Sequence, residues 1–218
     1  MKIQWLGHSC FRLEESTDSS VVTDPYRSYV GFDLPKVQAD VVTVSHDHDD
    51  HNFVEGVGGN PLVLSETGSY EIKGLHISAF GTYHDEEEGK KRGGNLIFKF
   101  RIDGVDVCHM GDIGQECTPD LAEAIGPVNV LLIPVGGTYT IDCEQAKEYV
   151  DRLMPDIVIP MHYKTRGHEF DIDKVDGFLR QFDDEVVEYA ESDTIEISRG
   201  QLDGDYTRVV VLSLPEEE

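Results

Sequence analysis

A dense cluster of metal-binding residue types directly follows an apolar segment, and it limits how this chain can fold. His46, His48, Asp50 and His51 lie within six residues, immediately after Val41–Val44. Alternate side chains of a strand share one face, so His46 and His48 can point together where the strand ends. A turn after them can present Asp50 and His51 nearby. Zinc and similar cations bind imidazole nitrogen and carboxylate oxygen at about 2 Å. The segment therefore predicts two adjacent metal ions; the alternative is an exposed polar turn with incidental histidines.

Two ions need more ligands than one loop supplies, and three later residues are placed to provide them. His84, Asp112 and His162 each follow a predicted strand. Taken singly, each is no more than a surface residue, but ligands at strand ends have rigid supports. A fold that brings these strand ends to one edge completes the site. Asp47 and Asp49 occupy the remaining positions of the first cluster, where we expect solvated carboxylates.

The order of predicted elements indicates two sheets accompanied by helices. Strands dominate the first half and alternate with helices in the second, which is typical of layered folds. The predicted strands are Lys2–Leu6, Cys10–Leu13, Val21–Thr23, Val41–Ser45, Leu62–Leu64, Leu75–Phe80, Asn95–Arg101, Val105–Met110, Val128–Ile133, Ile157–Met161, Thr194–Ile197 and Arg208–Leu214. Asp103 and Gly104 favour the positive φ angles of a tight hairpin turn between two of these strands.

Three segments show the signals of helices. Asp142 and Gln145 form a capping box at the start of one helix, and Pro155 ends it. Thr118 and Pro119 begin a shorter helix, because proline in the first turn loses no hydrogen bond. A third segment shows helical spacing of its apolar residues. The apolar faces of the first and third helices are formed, respectively, by Ala146, Tyr149, Val150 and Leu153 and by Val175, Phe178, Leu179 and Phe182.

Composition restricts the roles and the location of the protein. Its 218 residues are enough for one large domain, which we assign to residues 1–218. The net charge of −25 repels phosphate backbones and disfavours nucleic-acid binding. No apolar segment is long enough to span a bilayer and no signal peptide is recognisable, so we expect a cytoplasmic protein without a membrane partner. Four scattered cysteines favour reduced thiols.

Several short segments carry a resemblance to a known family. They are Trp5–Phe11, Thr23–Pro25, His109–Gly114, Pro134–Gly137 and Pro160–Tyr163. Together with the H-x-H-x-D-H pattern at residues 46–51 and the later His, Asp and His, they resemble the metallo-β-lactamase superfamily. Within it, the chain is most similar to the branch that contains L-ascorbate-6-phosphate lactonase. The resemblance covers nearly the whole chain and implies an αββα sandwich, an α+β fold of two mixed β-sheets flanked by helices.

The resemblance also implies a ligand set for two divalent cations. The implied ligands are His46, His48 and His84 for the first ion, Asp50, His51 and His162 for the second, and Asp112 for both. Zinc is the first expectation, with manganese and iron as alternatives, because sites of histidine and carboxylate accept all three. His84 lies in an acidic stretch; if that loop points away, either His109 is the substitute ligand or only one metal binds tightly. Asp50 or Asp112 would orient the nucleophile or transfer its proton.

Other residues near the predicted strand ends are candidates for contacting the substrate or the ligands. The candidates for substrate contact are His8, His109, Tyr139 and Lys164. Asp24 is placed to accept a hydrogen bond from a metal-bound imidazole. The alternatives are a turn residue for Asp24, a plain tight turn around Tyr139, satisfied buried histidines for His8 and His109, and a solvated charge for Lys164. His76 and His168 lack such a context, and we expect both at the surface.

The combined pattern favours a metal-dependent hydrolase. A cation lowers the pKa of bound water from about 16 towards 7, and the hydroxide can attack a small ester, lactone or phosphoester. We expect such a small molecule as substrate, with an anionic group as one option. His48 stands where oxygen-reducing di-iron relatives have glutamate, which disfavours a redox role. The alternatives are a phosphodiesterase or nuclease-type enzyme and a metal-binding module without turnover, and assembly into a homo-oligomer stays open.

Overall fold

The computed structural model describes residues 1–202, 204 and 206–215. Its strands are β1 (Lys2–Gly7), β2 (Cys10–Glu14), β3 (Ser20–Thr23), β4 (Val37–Gln38), β5 (Val41–Thr43), β6 (Val57–Gly58), β7 (Leu62–Leu64), β8 (Gly68–Ile72), β9 (Leu75–Tyr83), β10 (Gly94–Ile102), β11 (Val105–His109), β12 (Val130–Pro134), β13 (Ile157–Met161), β14 (Val187–Tyr189), β15 (Thr194–Glu196) and β16 (Arg208–Val211). Its helices are α1 (Pro119–Ile125), α2 (Cys143–Leu153) and α3 (Asp176–Leu179). Short 3-10 turns span Ser28–Val30, Val54–Gly56, Asp184–Val186 and Arg199–Gln201.

One mixed sheet has six strands, in the order β15-β1-β2-β3-β5-β7. Strands β15, β1, β2 and β3 pair antiparallel, whereas β3, β5 and β7 run parallel. Thr23 pairs with Thr43 at the ends of β3 and β5, and the N–H of Asp24 donates to the carbonyl of Thr43 at 2.9 Å. Because parallel strands end at the same edge, Asp24 and the segment that starts at Val44 leave the sheet side by side.

The second mixed sheet has eight strands, in the order β14-β16-β13-β12-β11-β10-β9-β8. Strands β8 to β11 form antiparallel neighbours, and β11, β12, β13, β16 and β14 run parallel. His109 pairs with Leu132 near the end of β11, and Pro134 pairs with Met161 at the end of β13. Asp112 and His162 therefore emerge at the same edge of this sheet.

The strands of the six-stranded sheet alternate between two apolar clusters. Val21 and Val41 join the large core that is shared with the eight-stranded sheet. Val22 and Val42 face the other way, into a smaller cluster that includes Val30 from a 3-10 turn. This alternation follows from the two-residue period of a strand. On the eight-stranded sheet, α2 packs against β12 and contacts α1 and α3.

The predicted class of fold is confirmed, and the differences lie in short or peripheral elements. The capped helix is α2, the helix that begins with proline is α1, and Asp103 and Gly104 have the predicted positive φ angles, 51° and 75°. Strands β4, β6, β8 and β14 escaped prediction: β4, β6 and β14 are two- or three-residue segments held by strands that do not follow them directly in the chain, and β8 is the edge strand of a hairpin with β9. Helix α3 is shorter than predicted, since the N–H groups of Gln181 and Phe182 bond three residues back, to Phe178 and Leu179.

The structure describes the state of the cysteines and the character of the helices. Cys10, Cys108 and Cys117 are buried, Cys143 is half-buried, and all four carry free thiols. Within the described parts of the chain, none of the helices combines the length and the apolar character needed to cross a membrane.

Helix α2 depends on its cap, which gives a first test of the fold. The Asp142 carboxylate accepts the N–H of Gln145 at 2.9 Å, and the Gln145 side chain accepts the N–H of Asp142 at 3.1 Å. We expect Asp142→Ala to lower the free energy of unfolding by about 1 kcal/mol in urea denaturation. The control Asp151→Ala removes an exposed ion pair with Lys147 in the same helix and should cost at most about 0.5 kcal/mol. Equal losses in both variants would contradict the role of the cap.

Candidate metal centre

The first histidine cluster leaves β5 in a loop that is held by a buried carboxylate. Asp24 accepts the N–H of Ser45 at 2.8 Å and its hydroxyl at 2.6 Å. Six residues later, the N–H of His51 donates to the carbonyl of His48 at 2.9 Å and closes a turn. This path buries His46 and His51 and leaves His48 exposed at the mouth. The loop therefore directs the side chains of its histidines and of Asp50 into one space from two sides.

Asp112 lies at the centre of that space. Its carboxylate is 2 % exposed. Its Oδ2 atom lies 3.2 Å from Nε2 of His162, 3.3 Å from Nε2 of His51, 3.5 Å from Nε2 of His84 and 3.9 Å from Nε2 of His46. One carboxylate oxygen thus faces four imidazoles from three other segments of the chain. The strand ends converge as the sequence predicted.

Two groups of side chains surround Asp112, which itself forms a third group with His46 and His51, and within each group the ligand atoms lie within 4.8 Å of one another. The members of the first group are His46, His48 and His84, and those of the second are His8, Asp50, His51 and His162. The first group equals the set predicted for the first ion. The second contains the three residues predicted for the second ion and adds His8. The structure therefore brings together all seven side chains that were predicted as ligands.

Unpaired buried atoms show that these residues suit cations. Several polar atoms at the centre are buried without a hydrogen-bond partner among the described residues: Nε2 of His46, Nε2 of His51, Nδ1 of His84, Oδ1 of Asp112 and both ring nitrogens of His162. An unsatisfied buried polar group costs about 1–3 kcal/mol. The separations of 3.2–3.5 Å around Asp112 match the roughly 3.4 Å between two atoms that each lie about 2.1 Å from one tetrahedral ion. The donor set fits two divalent cations.

The buried carboxylates of the centre also require positive charge beside them. Burial disfavours ionisation of Asp112, but the imidazoles of His162 and His51 outweigh it and hold its pKa well below the usual range. Burial alone would lower the pKa of His51, but the carboxylates of Asp112 and Asp50 raise it well above its usual value. For His46, burial and then the charge of His51 lower the pKa to about 3. His46 is therefore a neutral imidazole, the form that binds metals.

Asp24 sets the ring orientation of two histidines. Nδ1–H of His51 donates to its Oδ2 at 2.9 Å. Since the Ser45 hydroxyl also donates to Asp24, its oxygen accepts Nδ1–H of His46 at 2.9 Å. With Nδ1 held in this way, both rings direct Nε2 to the centre. This contact is the one that the sequence predicted for Asp24, whose own backbone is left-handed, with a φ of 40°.

His84 reaches the centre because an acidic loop is tightly folded. The neighbouring Asp85 carboxylate accepts four backbone N–H groups, from Glu87, Gly89, Lys91 and Arg92, at 2.7–2.9 Å. Desolvation raises the pKa of Asp85, but these hydrogen bonds lower it to about 2. On the other side, a side chain at Gly114 would collide with the backbone of His84. The acidic stretch therefore holds His84 inward, and no substitute ligand is needed.

Two predictions about histidines are wrong. His109 is not a substrate contact, because its buried ring donates from Nε2 to the carbonyl of Ser9 at 2.8 Å and accepts the N–H of Gly111 on Nδ1 at 3.1 Å. His168 is not a surface residue: it is 4 % exposed, and its Nε2 lies 3.1 Å from Nδ1 of His8. That contact spans 160 residues, and no local pattern in the sequence indicates it. His76 is exposed, as predicted.

The remaining candidates lie near the opening of the centre. Tyr139 is exposed, with its ring 6.0 Å from that of Phe170, and Phe170 also packs 5.6 Å from Tyr29. The Arg92 guanidinium lies 5.5 Å from the ring of Tyr139. Arg92 was not among the predicted site residues. The ammonium of Lys164 donates to the carbonyl of Phe170, so this cation supports the aromatic rim formed by Tyr29, Phe170 and Tyr139. The contact of Lys164 with substrate stays a prediction.

Comparison with known proteins agrees with this geometry. Residues 2–162 match the family model of the β-lactamase superfamily domain. A UPF0173 metal-dependent hydrolase from Pelotomaculum thermopropionicum is 32 % identical, over 76 % of this chain and 85 % of that protein. Another from Thermoplasma volcanium is 29 % identical, over 81 % and 87 %. The crystal structure of a candidate zinc-dependent hydrolase of the metallo-β-lactamase superfamily from Thermotoga maritima is 40 % identical, covers 98 % of this chain and 99 % of that chain, and superposes with a TM-score of 0.81.

The role of Asp24 gives a test at the centre. Asp24→Asn keeps the shape of the side chain but removes the charge that accepts from His51. We expect the affinity for zinc to fall about 10–100-fold, measured by competition with a chromophoric chelator. Asp49→Asn is the matched control, since it removes the same charge from an exposed residue of the loop that carries His46 and His51. If both variants weaken zinc binding equally, general charge and not the orientation of His51 is responsible.

Proposed function

The chain belongs to the metallo-β-lactamase superfamily and, within it, to the UPF0173 family of metal-dependent hydrolases, and we propose that it hydrolyses a small ester, lactone or phosphoester with two divalent cations. The observation that carries this proposal is the buried Asp112 carboxylate, whose one oxygen faces four imidazole nitrogens. A buried carboxylate in such surroundings is poorly suited to a purely structural role, because three of the facing nitrogens, Nε2 of His46, His51 and His162, lack a hydrogen-bond partner among the described residues.

The proposed ligands follow the two groups around Asp112. They are His46, His48 and His84 for the first ion, Asp50, His51 and His162 for the second, and Asp112 between them. Bound cations supply water of lowered pKa at neutral pH and an electrostatic partner for charge on a substrate oxygen. Zinc is the first expectation, and manganese or iron are alternatives, because imidazole and carboxylate donors suit all three.

The carboxylates of the centre hold and orient the attacking water in this proposal. Burial raises the pKa of Asp50, but His51 and His8 outweigh it and keep the pKa below the usual range. Asp50 therefore stays ionised and accepts hydrogen bonds, as Asp112 does. Asp24 keeps the rings of His51 and His46 fixed, so the water meets a rigid set of groups. Rigid placement of reacting groups supplies much of the rate in such reactions.

The rim of the opening supports a small substrate. Tyr29, Phe170 and Tyr139 offer aromatic surface beside the centre, and Arg92 is the adjoining cation. The net charge of −25 opposes extended polyanions such as nucleic acids. A compact molecule with an apolar part and at most a localised anionic group fits this combination. A lactone is one member of that class, consistent with the resemblance of segments such as Trp5–Phe11 to the ascorbate-6-phosphate lactonase branch.

The test is hydrolysis that depends on metal. We expect the purified chain to hold about two ions per molecule by elemental analysis. It should hydrolyse at least one of a simple lactone, a p-nitrophenyl ester and bis-p-nitrophenyl phosphate. A chelator should abolish the rate, and zinc or manganese should restore it. Asp112→Asn should reduce the rate to background. The control Asp106→Asn lies on β11, outside the centre, and should leave the rate unchanged.

The pattern of results separates the candidate functions. Hydrolysis confined to the phosphate diester would assign a phosphodiesterase, whereas hydrolysis of the lactone or ester would assign a carboxylic ester substrate. Two tightly bound ions without hydrolysis of any of the three compounds would favour a metal-binding module. A rate that survives both the chelator and Asp112→Asn would overturn the proposal.

A further inference from the structure

His8 shows the same arrangement as two of the predicted ligands. In His46 and His51, Nε2 points to the centre and Nδ1 is bound 2.9 Å away by a polar side chain. In His8, Nε2 lies 3.3 Å from Oδ2 of Asp50, and Nδ1 lies 3.1 Å from Nε2 of His168. Metal-bound imidazoles generally donate their second ring N–H to such a partner. The surroundings of His8 are therefore those of a ligand.

The distance from His8 to Asp50 also favours a shared ion over a hydrogen bond. Hydrogen bonds from N–H groups to carboxylates are strongest at about 2.7–2.9 Å when charge assists them. The 3.3 Å between His8 and Asp50 equals the separation of His51 from Asp112. Two ligand atoms on one ion are expected roughly 3.4 Å apart. Nε2 of His8 also lies within 4.8 Å of the ligand atoms of Asp50, His51 and His162.

The backbone holds His8 against a neighbouring ligand. The N–H of His162 donates to the carbonyl of His8 at 3.2 Å, and the two rings lie 4.3 Å apart between centroids. Both residues have left-handed backbones, with φ angles of 51° and 49°. Strained backbones of this kind concentrate at functional sites. His109 provides the contrast, since backbone groups satisfy both of its ring nitrogens.

We propose that His8 is a further protein ligand of the second ion and that His168 orients it by accepting its Nδ1–H. The inference rests on the proposed function, because it requires the ion. In this arrangement the lone pair of Nε2 of His8 faces the ion, and His168 carries its own proton on Nδ1. That atom and the hydroxyl of Thr165, three residues earlier, are both buried without a hydrogen-bond partner among the described residues. Because His168 would act on the ion only through His8, it is a positioning residue.

Replacing His8 with asparagine tests its role with little change to the backbone. Asparagine accepts left-handed backbones readily, and its amide occupies the place of Nδ1 without providing Nε2. We expect His8→Asn to lower the affinity for the second zinc ion at least about 100-fold and leave the first bound. The zinc content after gel filtration then falls from about two to about one per chain. His76→Asn, at an exposed position of β9, is the control and should keep both ions.

His168 is tested by loss and rescue. His168→Ala should weaken the second zinc ion about 10–100-fold in chelator competition. His168→Gln should recover most of that affinity, because its amide can reach the place of Nε2 and accept from His8. Circular dichroism checks that each variant folds. If alanine and glutamine weaken zinc equally, or if neither does, the positioning role of His168 is wrong.

The inference about His8 fails separately from the proposed function. A folded His8→Asn variant that keeps two zinc ions with unchanged affinity, or loses both together, overturns the ligand role of His8 and leaves the other ligands in place. A wild-type chain that binds none of zinc, manganese and iron overturns the proposed function. If His8→Asn does not fold, nitrogen NMR of the wild-type histidines decides. Addition of zinc should shift the Nε2 signal of His8, and an unchanged signal contradicts ligation.

Discussion

The structure depends on the burial of acidic side chains between two sheets. Asp24, Asp50 and Asp112 all lie below the surface at one edge of the sandwich. An isolated buried carboxylate costs several kcal/mol, so this arrangement persists only with positive charge beside it. Imidazoles from distant parts of the chain surround these carboxylates, and bound cations would complete the balance. The need to bring those groups together explains why so many strands end at a single edge.

The two sheets contribute to the centre in the same way. In the six-stranded sheet, the parallel pair β3 and β5 delivers Asp24 beside the segment that carries His46 and His51. In the eight-stranded sheet, the parallel run from β11 to β13 delivers Asp112 and His162. His46, His84, Asp112 and His162 lie one to three residues after the ends of their strands, so they inherit the rigidity of the sheets. Left-handed backbones appear where the chain turns towards the centre.

What the sequence could predict follows from the range of the interactions involved. The cluster that contains His46 and His51 is a local signal, whereas Asp112 and His162 became candidates only in combination, as residues after strands that together resemble the metallo-β-lactamase pattern. The buried position of His168 was not predictable, since it depends on His8, 160 residues away. Strands β8 and β14 are held at sheet edges by their partners β9 and β16. The composition of these two segments alone therefore does not predict a strand. His109 sits at a strand end as His84 does, and only tertiary contacts distinguish a ring bonded to backbone from one that faces the centre.

The acidic loop after His84 shows how a segment that looks like solvated surface becomes part of the site. Asp85 gathers four backbone N–H groups of the same loop, the last from Arg92. The side chain of Arg92 donates to the carbonyl of Thr138 at 3.0 Å and lies over the ring of Tyr139. The loop that holds His84 therefore also forms one wall of the opening. One compact turn around Asp85 therefore positions both His84, a member of the first group of ligands, and Arg92 at the opening.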